Sequence, residues 1–222
     1  MTPQPLRLTL DAETQVSALL DTPPNPSACY VMAHGAGAGM THPFMAAVAA
    51  GLYERGVAVL RYQFAYMECG SKRPDAPALA HAAVRAAVDA ATAKLPGLPI
   101  FAGGKSFGAR MTSQAQALAP LPQVHGLVFF GFPLHPAGKP GVTRAEHLAQ
   151  VKLPMLFLQG SRDKLAELEL LRPVVKSLGR RATLRVFEHA DHSFHVPARS
   201  GGNDAQVMEE MLDAAAAWMA RQ

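Results

Sequence analysis

The chain has 222 residues, which suits one large α/β domain over 1–222 better than two small ones. Hydrophobic residues make up 49% and charged residues 17%, so a sizeable core is available and wholesale disorder is excluded. The net charge of +4 comes from 21 basic against 17 acidic residues, and the basic ones cluster no further than pairs such as Lys72-Arg73 and Arg180-Arg181, which is no nucleic-acid footprint.

The opening Met1-Thr2-Pro3-Gln4-Pro5-Leu6-Arg7 lacks the basic-then-apolar layout of a signal peptide. No apolar stretch approaches the length that spans a bilayer. Cys29 and Cys69 make no disulfide framework and fit reduced thiols. A cytoplasmic protein with no membrane partner is expected. Residues 6–10 alternate with period two and 16–20 form a second short run, which predicts an antiparallel hairpin with one wet face. A Pro-rich stretch leads into Cys29-Tyr30-Val31-Met32-Ala33, a continuous apolar run of the buried parallel type. His34-Gly35-Ala36-Gly37-Ala38-Gly39 ends it. A helix follows with Phe44, Val48 and Leu52 on one face, closed by Gly56.

Residues 57–60 are the next strand, emptying into a long loop over 61–75. The spacing of Val84, Val88 and Ala91 predicts a helix over 78–95, stopped by Pro96-Gly97. Ile100 to Ala102 is a buried strand, and a helix with Met111, Ala115 and Leu118 at helical spacing starts near Ser106. Residues 124–130 are another buried strand, closed by Gly131. Little regular structure is expected over 131–153 beyond a short helix at 143–150. A strand at 155–158 ends in Gln159-Gly160-Ser161-Arg162-Asp163. A helix then shows Leu165, Leu168, Leu171, Val175 and Leu178, the last strand covers 182–187, and the closing helix carries Val207, Met211, Ala215 and Trp218. Eight strands alternating with helices imply a mostly parallel sheet with helices on both faces.

Between the strand at 100–102 and its helix lies Gly104-Lys105-Ser106-Phe107-Gly108, which fits the G-x-S-x-G nucleophile elbow. A strand that turns sharply into a helix strains its central residue, and the flanking positions must lack side chains for the two elements to pass. A phosphate-binding loop is rejected, because its first glycine would fall at Pro99. A dinucleotide loop at Gly35 to Gly39 is rejected too, because the third glycine would fall at Met40.

In open α/β sheets the reacting groups sit on loops at the carboxyl ends of the strands. Collected in chain order, those loops supply Ser106, Asp163 and His192. A serine hydroxyl needs a base to accept its proton, and imidazole titrates near neutrality. A carboxylate on the far ring nitrogen fixes the tautomer. Residues 131–145 hold no Asp or Glu, which leaves Asp163 as the acid. Glu167 and Glu169 are assigned to a solvated helix face. His192 is preferred as base to His189 and His195, and the His189–His195 run lacks the further ligands a metal site needs. No metal or cofactor is called for. The backbone N–H groups of Ala36 and Phe107 are expected to form an oxyanion hole, with His34 shaping its loop.

With these residues assembled, the chain resembles the α/β-hydrolase superfamily over nearly its whole length. It is similar to the small, dienelactone-hydrolase-like branch that includes testis-expressed protein 30 and the hydrolase-like domain of NSL complex subunit 3. The resemblance is carried by His34-Gly35-Ala36-Gly37, by 61–68, by 104–111 with its Lys105 and Arg110, by 159–163, and by Ala190-Asp191-His192-Ser193-Phe194. Ala109 and Ala65 stand where the family often has glycine and proline. The resemblance implies an α/β-hydrolase fold and a Ser106–Asp163–His192 triad. The function expected is a serine hydrolase cleaving a small-molecule ester or thioester through an acyl-enzyme. The same triad also serves peptidases and acyltransferases. The rival reading is a non-catalytic interaction module on the same fold. The segment 131–153 leaves no room for a large cap. An open site is therefore expected, walled by Phe64, Tyr66, Met67 and the turn at 132–135 and favouring short acyl groups. Lys105 and Arg110 are expected to make structural salt links rather than to bind an anionic substrate. The sequence sets no oligomeric state.

Overall fold

The computed structural model describes residues 2–222. Its strands are β1 (Gln4–Thr9), β2 (Gln15–Asp21), β3 (Ala28–Ala33), β4 (Val57–Tyr62), β5 (Ile100–Lys105), β6 (Val124–Phe130), β7 (Met155–Gly160) and β8 (Ala182–Phe187). They join in one open sheet of order β1-β2-β4-β3-β5-β6-β7-β8. β1 and β2 form the antiparallel hairpin, β2 runs antiparallel to β4, and every later pairing is parallel.

The continuous apolar run of β3 follows from burial on both faces. Cys29, Val31 and Ala33 enter one hydrophobic core, while Ala28, Tyr30 and Met32 enter the other. At the far edge β8 alternates, because one of its faces meets water. The helices are α1 (Pro43–Glu54), α2 (Ala65–Glu68), α3 (Pro77–Lys94), α4 (Phe107–Leu118), α5 (Leu168–Ser177) and α6 (Asp204–Met219). α1 and α6 share one core, and α3, α4 and α5 contribute to the other. Right-handed crossovers explain the split. The step from β3 to β4 runs opposite to the steps from β4 to β5 and beyond, so α1 lands on the opposite face.

That reversal makes a switch point between β3 and β5, and a crevice opens beyond their carboxyl ends. A buried ion pair, Arg61 Nη2 to Asp21 Oδ2 at 2.9 Å, ties β4 to β2 beside it. The same guanidinium donates to the Met40 carbonyl at 3.3 Å.

The structure departs from the sequence reading in several places. β4, β5 and β7 run past their apolar residues to Tyr62, Lys105 and Gly160. The loop expected over 61–75 contains the short helix α2. Thr143–Gln150 is a 3-10 helix. Leu118 is not on the core face of α4 but 74% exposed, the last residue of that helix. Leu165 precedes α5, leaving Leu171 as that helix's fully buried anchor.

Candidate active site

Ser106 joins β5 to α4 with φ 50° and ψ −111°, a conformation that costs a side-chain-bearing residue roughly 1–3 kcal/mol. The carbonyl of Ala33, at the end of β3, explains both flanking glycines. A Cβ at Gly104 would stand 2.1 Å from that oxygen, and one at Gly108 would stand 2.4 Å from it. Elbow and neighbouring strand thus pass closer than any side chain allows, and the hydroxyl is lifted above the sheet. The Ser106 N–H is held by the Phe130 carbonyl at 3.2 Å.

Asp163 lies on the turn after β7, 2% exposed. Its Oδ1 accepts from the Leu165 N–H at 2.8 Å, and its Oδ2 accepts from His192 Nδ1 at 2.7 Å and from the Gln159 side-chain amide. Gln159 is itself buried, and its Oε1 accepts from the Phe132 N–H at 3.0 Å. Sequence reasoning gave Gln159 no role. The available signal was a polar residue closing an apolar strand.

His192 follows β8, its side chain 24% exposed. With Nδ1–H donating to Asp163, Nε2 is left as the acceptor for the Ser106 hydroxyl, 2.8 Å away. The neighbouring histidines go elsewhere. His195 pairs with Asp204 at 2.9 Å, while His189, at φ 64°, donates its backbone N–H to Ser161 Oγ at 2.8 Å.

The loop after β3 passes the serine in van der Waals contact, a Cβ at Gly35 lying 3.8 Å from Ser106 Cβ. His34 anchors that loop from beneath. Its Nε2 accepts from the Phe64 N–H at 3.1 Å, so Nδ1 carries the proton and donates to the Gly35 carbonyl at 2.8 Å. Burial lowers its pKa to about 4 and keeps the ring neutral. Tyr66 Oη accepts from the Gly37 N–H at 3.0 Å, and Gln63 Oε1 accepts from the Met40 N–H at 2.8 Å. Among the described residues, the N–H groups of Ala36 and Phe107 have no acceptor.

A cleft of about 410 Å³ opens above Ser106 and His192, walled by His42, Phe44, Met45 and Leu165. The wall differs from the one expected from the sequence. Phe64, Tyr66 and Met67 do not line the cleft. The bond from Phe64 to His34 draws that segment under the loop, where Phe64 and Tyr66 pack against Phe107 and Met67 lies against the core. Phe132 and Leu134 are likewise buried, held by Gln159 and by the Leu165 carbonyl. The expected salt links are absent among the described residues. Arg110 lies 5.9 Å from the Phe107 ring, its pKa lowered by burial and by Arg144, and Lys105 meets a carbonyl. Glu167 does not sit on a solvated helix face. It precedes α5 and pairs with His135 Nε2.

A family model described as alpha/beta hydrolase domain matches residues 26–220. The solved dienelactone hydrolase from Anabaena variabilis is 21% identical with a TM-score of 0.78, over 100% of this chain and 99% of that one. An α/β serine hydrolase without lid from Xanthomonas campestris is 20% identical with a TM-score of 0.75, over 98% and 95%. The esterase domain of a Rhodothermus marinus protein is 15% identical with a TM-score of 0.75, over 100% and 99%.

Proposed function

Because the chain belongs to the alpha/beta hydrolase domain family, we propose that it is a serine hydrolase cleaving carboxylic esters or thioesters with short or exposed acyl groups. The observation that carries this reading is the unbroken hydrogen-bonded line from Asp163 through His192 to Ser106. Ser106 Oγ attacks the carbonyl carbon while its proton passes to His192 Nε2. Asp163, accepting from Nδ1–H, steadies the imidazolium. The carbonyl oxygen takes the negative charge and is met by the free N–H groups of Ala36 and Phe107, each worth roughly 3 kcal/mol to the transition state. The C–O or C–S bond then breaks and His192 gives its proton to the leaving group. Water, deprotonated by the same ring, releases the acid and restores the serine.

The apolar side chains of Phe44, Met45 and Leu165 support a small apolar acyl group in the cleft. The elbow with Lys105 and Arg110 supports a place in the small dienelactone-hydrolase-like branch that includes testis-expressed protein 30. A fluorophosphonate probe is expected to label the wild type and not Ser106→Ala. Labelling that survives the substitution, or none at all, would end the hydrolase reading and leave an interaction module in its place. A panel of p-nitrophenyl esters is expected to favour short chains.

A further inference from the structure

The last residue of β5 is a part-buried lysine that, among the described residues, makes no direct ion pair. Lys105 Nζ donates to the backbone carbonyl oxygen of His192. It also lies 5.2 Å from the centroid of the Phe194 ring and 5.7 Å from that of Phe44. Those two rings are nearly parallel, 10° apart in orientation with centroids 6.0 Å apart. Gly131 supplies the room, since a Cβ there would stand 2.9 Å from Nζ and 3.4 Å from the His192 ring. The amine is therefore held among the His192 carbonyl, two aromatic rings and Gly131, groups that also bear on the histidine.

The loop carrying His192 is braced by bonds within itself and is held at either end, where the Ala190 carbonyl accepts from the Arg162 N–H at 2.9 Å and the Val196 N–H donates to Asp204 Oδ1 at 2.8 Å. Asp191 N–H donates to the His195 carbonyl and Phe194 N–H to the Asp191 carbonyl, both at 3.0 Å, while Asp191 Oδ1 accepts from the N–H groups of Ser193 and His195. Between those ends, the main chain of His192 itself is tied to the rest of the fold, among the described residues, by the bond from Lys105, the chain neighbour of Ser106.

We propose that Lys105 is a positioning residue, whose ammonium, held by the His192 carbonyl and by the faces of Phe44 and Phe194, sets the imidazole at bonding distance from Ser106. The proposal rests on the reading of Ser106 as nucleophile and His192 as base. Because nucleophile and tie are consecutive residues, the spacing of hydroxyl and imidazole is gauged from one point of the backbone. A displacement of about 1 Å at such a contact is enough to slow a reaction by about 100-fold.

Burying an ammonium with no carboxylate in direct contact opposes its charge. Burial lowers the pKa of Lys105 to about 8, with Asp163 and Asp191 acting in the opposite direction. The titratable or charged groups facing it are thus Asp163 from the turn after β7, and Asp191 and His192 from the loop after β8. α1 and β6 present Phe44 and Gly131, which do not titrate. Above that pH the amine is neutral, donates more weakly and loses its attraction to the two rings, so the tie loosens as the proton leaves.

The test compares wild type, Lys105→Met and Lys105→Arg by steady-state kinetics on a short-chain p-nitrophenyl ester. It adds the low-field proton resonance of His192 Nδ1–H. The methionine variant is expected to lose kcat by about 10- to 100-fold with KM little changed, and its low-field resonance is expected to shift or broaden. Wild-type kcat/KM is expected to fall above pH of about 8, and the arginine variant, charged throughout, to recover part of the rate without that alkaline fall. A folded Lys105→Met with wild-type kcat and an unchanged resonance would overturn the proposal. If wild type proves inert toward the ester, the hydrolase reading fails by itself. The resonance then decides alone, an unchanged signal in Lys105→Met defeating the positioning role and a shifted one supporting it. If Lys105→Met does not fold, the arginine variant and the pH titration of the wild-type resonance decide in the same way.

Discussion

Ser106 shows how much chemistry one backbone conformation demands of its neighbours. Its positive φ is tolerable only while Gly104 and Gly108 let the Ala33 carbonyl lie against the turn. Gly108→Ala puts a methyl 2.4 Å from that oxygen. It is expected to lower the melting temperature, by a destabilisation of about 1–3 kcal/mol, and to slow fluorophosphonate labelling. A variant matching wild type in both would show that the turn has slack. Asp163→Asn keeps the volume and most of the hydrogen bonds but favours the wrong imidazole tautomer. It is expected to reduce kcat by up to about 10⁴-fold with wild-type circular dichroism. The three polar residues were readable from sequence because proton transfer restricts the residue types and the sheet restricts the places. The cleft wall was not readable. Whether Phe64 faces substrate or core turns on a bond from its own N–H to His34, and no spacing rule encodes that.

Elements, too, were legible through hydrophobic patterning, and the pattern failed at informative places. β4, β5 and β7 extend past their apolar runs through Arg61-Tyr62, Gly103-Gly104-Lys105 and Gln159-Gly160. These carboxyl ends adjoin the site, so polar and glycine residues replace the apolar ones that mark a strand. The ladder bonds continue because they depend on backbone alone. The loop after β3 shows the same dependence on a single side chain. His34→Ala strands the Phe64 N–H in the core, a loss of about 1–3 kcal/mol. Because Ala36 rides on that loop, kcat is expected to fall together with stability. Equal kcat in a destabilised variant would separate the anchor from the oxyanion site.

Across the whole molecule, a buried histidine, His34, and a part-buried one, His147, tie stability to pH. His34 and His147 both have pKa values lowered from 6.5 to about 4, chiefly by burial. In the unfolded chain they take up protons near pH 6.5, while the folded chain resists until about 4. The unfolded state therefore binds more protons between those limits. Stability is full above about 6.5 and falls as pH drops toward 4. Urea midpoints are expected to decline over that window. His147→Gln, which still offers Ser113 a partner, is expected to make the decline shallower; identical slopes would exonerate His147. The pair of Arg61 with Asp21 joins the antiparallel edge to the parallel body. Asp21→Ala leaves a guanidinium without its counter-ion in the interior and is expected to cost about 3–5 kcal/mol, read as a lowered urea midpoint at neutral pH.

The segment between β6 and β7 lies down as a 3-10 turn against α4, where His147 holds Ser113 at 2.8 Å, rather than arching over the serine. Selection by shape therefore ends at the lip of the groove, and whatever a substrate trails beyond it meets bulk water. On the proposed hydrolase reading, an ester carried on a polymer, a peptide or a solid particle would be presented to the hydroxyl on the same terms as one that is free in solution.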